Sequence, residues 1–172
     1  MNVQTEKRKT LSVLFVCTAN ICRSPMAEGI LKHLVSTNEL KGKLKVESAG
    51  VAAIDGEEAS LLAQEVSREA GIDITRHRSQ PVTKKLLKNF DLVLTMTLLH
   101  QHEIERLYPG CAGKTFRLRE YGRKGQLYSH LEIDDPYGGS KEIYEICFLT
   151  LRREIERILP EIEKEIKKSG YS

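Results

Sequence analysis

The run Leu11-Ser12-Val13-Leu14-Phe15-Val16 is the segment that most limits what this chain can become. A short apolar stretch rich in β-favouring residues reads as a strand covered on both faces, at the centre of a parallel sheet. Cys17 leaves that strand, and Ser24-Pro25 reads as a helix start, with the serine oxygen capping free amides and proline at the first helical position, where no N–H is missed. The residues between, Cys17 to Arg23, then form a strand-to-helix loop. Backbone N–H groups closing on a helix N-terminus gather the positive ends of peptide dipoles, so such a loop accepts a dianion. The same field favours the thiolate of Cys17, and Arg23 adds a planar fork that holds two phosphate oxygens at once.

Strand and helix patterns alternate along the rest of the chain. Met26, Ala27, Ile30, Leu31 and Leu34 fall at helical spacing. Leu44 to Ser48 alternates and reads as a second strand, and an amphipathic helix is expected from about Glu57 to Ala70, closed by Gly71. Further strands are expected at Asp91–Met96 and Lys114–Leu118, and a long helix at about Ser140–Lys168, which Pro160 should kink or interrupt. The expected fold is therefore α/β: a single domain over residues 11–170, with a parallel sheet of about four strands and helices on both faces, after a frayed tail at 1–10. In such sheets ligands bind beyond the carboxyl ends of the strands, where Cys17, Ser48, Thr95 and Met96 fall.

Composition removes several classes of function. With 27 Lys+Arg against 24 Asp+Glu in 172 residues, the net charge of +3 is too small and too dispersed for a nucleic-acid binder. No apolar run reaches membrane length and Met1–Thr10 lacks the apolar stretch of a signal peptide, so no membrane association and a cytoplasmic location are expected. Cys17, Cys22, Cys111 and Cys147 show no C-x-x-C spacing and no histidines set around them, so no metal is expected and the thiols are read as reduced. Cys111 and Cys147 read as structural or incidental, and Arg123-Lys124, between Gly122 and Gly125, as part of a solvated loop.

The string Cys17-Thr18-Ala19-Asn20-Ile21-Cys22-Arg23-Ser24-Pro25, close to the N-terminus and after an apolar strand, resembles the low-molecular-weight protein tyrosine phosphatases, in the bacterial branch that also contains protein-arginine phosphatases. It is not the nucleotide-binding P-loop, whose glycines and Gly-Lys-Ser/Thr ending are missing. The resemblance runs from about Leu11 to the C-terminal helix, leaving out Tyr121–Leu131, and implies the Rossmann-like phosphotyrosine phosphatase I fold. Asp135-Pro136-Tyr137 resembles the family's general-acid loop, whereas the residues alone leave Asp135 open to being a turn-initiating aspartate before proline. Asp134 competes for the acid role, and family register, with the acid directly before proline, favours Asp135. The implied catalytic set is Cys17 as nucleophile, Arg23 and Asp135, with Cys17, Thr18, Ala19, Asn20, Ile21, Cys22 and Arg23 holding phosphate. Ser24 would give its hydroxyl to the sulfur, and Ser48 and His77 look like the family's partners of Asn20, a residue suited to positive φ. Cys22 either forms a reversible disulfide with Cys17 or packs as a small residue under the loop.

The implied activity is hydrolysis of phosphotyrosine through a phosphocysteine, without cofactor, on phosphorylated protein substrates, by a monomer. Ile21 and Tyr137 would line the mouth; an apolar Ile21 favours an aromatic ring, whereas the arginine phosphatases carry threonine there. Against this, Ser48-Ala49-Gly50-Val51, Leu94-Thr95-Met96-Thr97 and Asp135–Ser140 look more like the arginine-phosphatase branch. Protein-arginine phosphatase is therefore the alternative, with arsenate reductase and a non-catalytic phosphate-binding module behind it. An arsenate reductase would need a cysteine relay that Cys111 and Cys147 do not offer, and a binding module would need neither Cys17 nor Asp135.

Overall fold

The computed structural model describes residues 10–125 and 129–168. The expected tail, apart from Thr10, lies outside the described residues, as do the last two residues of the expected domain. Four parallel strands, β1 (Leu11–Cys17), β2 (Leu44–Gly50), β3 (Leu92–Thr95) and β4 (Thr115–Arg117), form one sheet in the order β2-β1-β3-β4. The first strand is thus an inner one, and every residue in it is buried.

Alternation along β1 sends its side chains into two cores. Val13, Phe15 and Cys17 join a cluster with α1 (Arg23–Ser36), α2 (Leu61–Glu69) and α5 (Lys141–Lys168). Leu14 and Val16 face the opposite way, toward Leu87 of α3 (Lys84–Lys88) and Ile104 of α4 (Leu98–Leu107). Helices therefore cover both faces, which is why β1 carries no polar face of its own.

Several local expectations are corrected. The second helix begins at Leu61 rather than near Glu57, because the preceding residues are tied elsewhere: Glu57 O accepts from Ser79 N at 2.8 Å and Ser60 N donates to Ile21 O at 2.8 Å. Pro160 does not interrupt α5. It lies on the exposed side, where water can serve the carbonyl that loses its N–H partner, while Ile155, Ile158, Ile162 and Ile166 hold the buried stripe on both sides of it. Arg123 is not solvated: its guanidinium is 3.2 Å from the carboxylate of Glu154, a buried residue also reached by Arg119 at 3.4 Å and Arg157 at 2.6 Å. Arg157 also donates to Leu118 O and Tyr121 O, so α5 anchors the segment after β4.

Candidate active site

The loop after β1 closes directly on α1, whose first residue is Arg23. Cys22 is the N-cap and offers no side-chain cap, so Ser24 is not the capping serine expected, and Pro25 is the third helical residue, still within the turn that needs no donor. The Ser24 hydroxyl instead lies 2.9 Å from Cys17 Sγ. Asn20 N–H donates to the same sulfur at 3.3 Å. Carbonyls of the loop are occupied by the surrounding chain: Cys17 O accepts from Val51 N, Thr18 O from Ala52 N and Ile21 O from Ser60 N. With its carbonyls so engaged, the loop presents donors to the sulfur, which is what an anionic sulfur or phosphoryl group requires.

Asn20 holds the loop in shape. It has φ +58°, the positive value that Asn tolerates better than most residues, and it is fully buried. Its Nδ2 donates to Ser24 Oγ at 2.8 Å and to Ser48 Oγ at 2.9 Å, and its Oδ1 accepts from Gln80 N at 2.9 Å. His77 Nε2 lies 2.7 Å from Asn20 O, so the neutral ring carries its proton on Nε2 to donate to that carbonyl. Burial lowers the His77 pKa. Ser48 in turn donates to Glu28 Oε2 at 2.5 Å, one turn into α1. Gly50 is required beside this loop, because a Cβ there would run into Thr18 O and stand 2.9 Å from Asn20 N.

Arg23 is buried and joins the loop to the acid segment. Its Nη1 donates to Ile133 O at 3.1 Å, and its Nη2 to Asp135 Oδ2 at 2.7 Å and Thr18 Oγ1 at 3.3 Å. Its Nε–H, also buried, has no partner among the described residues. A buried guanidinium whose Nε–H is unspent fits a phosphoryl oxygen. Asp134, the competing acid, has a side chain 88% exposed and faces His130 at 3.4 Å, away from the loop.

Cys17, Thr18, Ala19, Ile21, Cys22, Arg23, Ile54, Glu57, Asp135 and Tyr137 line one cleft of about 440 Å³. Tyr137 is exposed at its rim, held near by Tyr137 N donating to Asp135 Oδ1 at 3.2 Å. The Cys22 thiol points under the loop, 3.3 Å from both Ser60 Oγ and Tyr144 Oη, and burial pushes its pKa up. Cys111 and Cys147 sit in the two cores. No group of side chains with metal-binding potential is found among the described residues, and no helix among them is long and apolar enough to cross a membrane.

Sequence reasoning missed His100, Glu28, Ile54 and Glu57. His100 Nε2 is 2.8 Å from Thr18 Oγ1 and its Nδ1 is 3.0 Å from Thr97 Oγ1, the hydroxyl that caps α4. Burial, and then the charge of Arg23, push its pKa down to about 4. The spacing Thr97-x-x-His100 at a helix start signals only the cap of α4, not the contact with Thr18.

A family model described as low molecular weight phosphotyrosine protein phosphatase matches residues 12–169. A protein-arginine-phosphatase of Bacillus subtilis is 37% identical over 92% of this chain and 98% of its own length. A probable low molecular weight protein-tyrosine-phosphatase of Ralstonia solanacearum is 36% identical over 88% of this chain and 95% of its own. Among solved structures, a low molecular weight protein tyrosine phosphatase from T. tengcongensis superposes with TM-score 0.79 at 38% identity, covering 88% of this chain and 99% of that one. An arginine phosphatase from Geobacillus stearothermophilus gives 0.80 at 36% identity, covering 92% and 96%. The family model spans the loop and the segment carrying Asp135 described above, and the chain belongs to the low molecular weight phosphotyrosine protein phosphatase family.

Proposed function

We propose that this protein hydrolyses phosphotyrosine in phosphorylated proteins, with residues 11–170 as the catalytic unit, as a cytoplasmic monomer. The observation that carries the reading is Arg23: one guanidinium binds Asp135 and Thr18 through Nη2 and keeps a buried Nε–H unpaired, beside a sulfur that already takes two hydrogen bonds.

The reaction runs in two displacements. Cys17 Sγ attacks phosphorus in line; the S–P bond forms as the ester P–O bond breaks, and the departing oxygen takes the proton of the Asp135 carboxyl. Arg23 Nε–H and the loop amides hold the phosphoryl oxygens. An anion bound there competes with Asp135 for Nη2. Water then attacks the phosphocysteine, giving its proton to the Asp135 carboxylate; the S–P bond breaks, and thiolate and inorganic phosphate are released. Ser24 Oγ–H stabilises the sulfur anion at both stages.

Three apolar side chains at the mouth, Ile21, Ile54 and Tyr137, support an aromatic leaving group. A second reading, phosphoarginine, is favoured by Glu57 in the same cleft, whose carboxylate suits a guanidinium, and by the arginine phosphatases among the relatives. Parallel kcat/KM values on phosphotyrosine and phosphoarginine peptides, for the native protein and Ile21→Thr, decide between them. Preference for phosphoarginine in the native protein overturns the proposal. Metal-free turnover of para-nitrophenyl phosphate, lost in Cys17→Ser, separates an enzyme from a phosphate-binding module.

A further inference from the structure

We infer that His100 is a positioning residue for the phosphate site, acting through the Thr18 hydroxyl to fix the Arg23 guanidinium. The inference rests on the phosphatase reading above.

Four side chains form an unbroken line: Arg23 Nη2 to Thr18 Oγ1 at 3.3 Å, Thr18 Oγ1 to His100 Nε2 at 2.8 Å, and His100 Nδ1 to Thr97 Oγ1 at 3.0 Å. The guanidinium can only donate, so Thr18 accepts from it. The cation also favours a ring lone pair, rather than a ring proton, facing Thr18. Every link then runs outward from the charge: Arg23 to Thr18, Thr18 O–H to Nε2, and Nδ1–H to Thr97, each bond polarising the next. Thr97 Oγ1 is fixed in its turn by the backbone, accepting His100 N–H at 3.3 Å as the cap of α4. The line therefore ties a loop side chain exposed in the cleft to a helix on the opposite face of the sheet.

Its effect falls on Arg23. Nη2 is shared between Asp135 and Thr18, so a fixed Thr18 Oγ1 sets the plane of the guanidinium and hence the direction of the unpaired Nε–H. A protonated His100 would have to donate to Thr18 and would place a second positive charge beside Arg23. Burial and Arg23 itself, which push the ring pKa down to about 4, prevent that at neutral pH.

The test compares His100→Phe, His100→Gln, Thr18→Val and the Thr18→Val/His100→Phe pair, with steady-state kinetics on para-nitrophenyl phosphate and thermal unfolding of each. Glutamine places an amide near the position of Nε2 and phenylalanine removes both nitrogens. His100→Phe is expected to lower kcat by roughly tenfold or more, the scale of a small misplacement of a catalytic group, with a smaller change in KM. His100→Gln is expected to recover most of the kcat loss. The double variant should be no slower than the worse single one, because both break the same line. A His100→Phe protein that is folded and retains kcat within about twofold overturns the inference, as do additive losses or a failure of glutamine to restore kcat. Should the native protein itself show no turnover, the phosphatase reading falls instead.

Discussion

The hydroxyl of Ser24 stands 2.9 Å from the sulfur of Cys17 while Asn20 Nδ2 donates to that same hydroxyl oxygen at 2.8 Å. Toward a thiolate, which can only accept, the Ser24 hydroxyl is the donor, and the carbonyl of Ala49 at 3.4 Å is its weaker, competing acceptor. Of the two roles expected of Ser24, helix cap and partner of the sulfur, the geometry leaves the second.

Ser24→Ala should lower kcat on para-nitrophenyl phosphate by roughly ten- to a thousandfold, the cost of removing one donor from a developing anion. Because the sulfur is the leaving group of the second displacement, phosphocysteine should accumulate. Rapid-quench trapping of the phosphoenzyme checks this, and an unchanged kcat would remove Ser24 from the mechanism.

Asp135→Asn should cost about 10²- to 10⁴-fold in kcat/KM on phosphotyrosine peptides, the range of general acid catalysis. The loss should shrink on esters whose leaving group needs no proton, such as para-nitrophenyl phosphate. A plot of rate against leaving-group pKa should therefore steepen in the variant. Asp134→Asn should leave that plot unchanged, since its carboxylate faces His130.

Asn20→Gly and Asn20→Ala separate the two reasons for asparagine at φ +58°. Both lose the bonds to Ser24, Ser48 and Gln80. Alanine adds left-handed strain of about 1–2 kcal/mol, offset in part by the ~0.4–1 kcal/mol that glycine loses through its freer unfolded chain, so urea titration should find alanine the less stable of the two. Alanine more stable than glycine would show that the conformation costs little here.

His100 makes stability depend on pH. Its pKa is 6.5 in the reference state and about 4 in the fold, lowered by burial and Arg23, so the unfolded chain binds the proton more readily between these values. Its contribution is complete above pH 6.5 and is lost as pH falls toward 4, on the order of 3 kcal/mol in all. His77 acts in the same direction. Unfolding midpoints in urea from pH 7 to 4.5 should fall less steeply for His100→Gln than for the native protein.

What the residues disclosed follows their distance along the chain. The strand, the loop and Arg23 lie within one contiguous run, so periodicity and spacing were enough to place them. Asp135 needed family register, because nothing local separates it from Asp134. Ser48 and His77 were legible only through resemblance, and both meet Asn20 as expected. His100 and Glu28 were not legible: Thr18 and His100 are 82 positions apart, and a lone histidine on a helix gives no sign of the hydroxyl it meets. The start of α2 was misplaced for the same reason, since a bond from Ser79 N to Glu57 O and one from Ser60 N to Ile21 O hold residues that local amphipathicity assigns to a helix. Pro160 misled in the opposite sense, because tertiary burial of the stripe around it outweighs one missing donor.

The three arginines gathered on Glu154 give the C-terminal helix a task beyond filling the core. Arg119 also reaches Glu132 O at 3.3 Å, one residue before the Ile133 carbonyl that receives Arg23. A carboxylate on α5 thereby moors both ends of the stretch leading to Asp135. Loss of that mooring would loosen Asp135 without touching Cys17, so damage far from the sulfur could silence the enzyme while its thiol stayed intact.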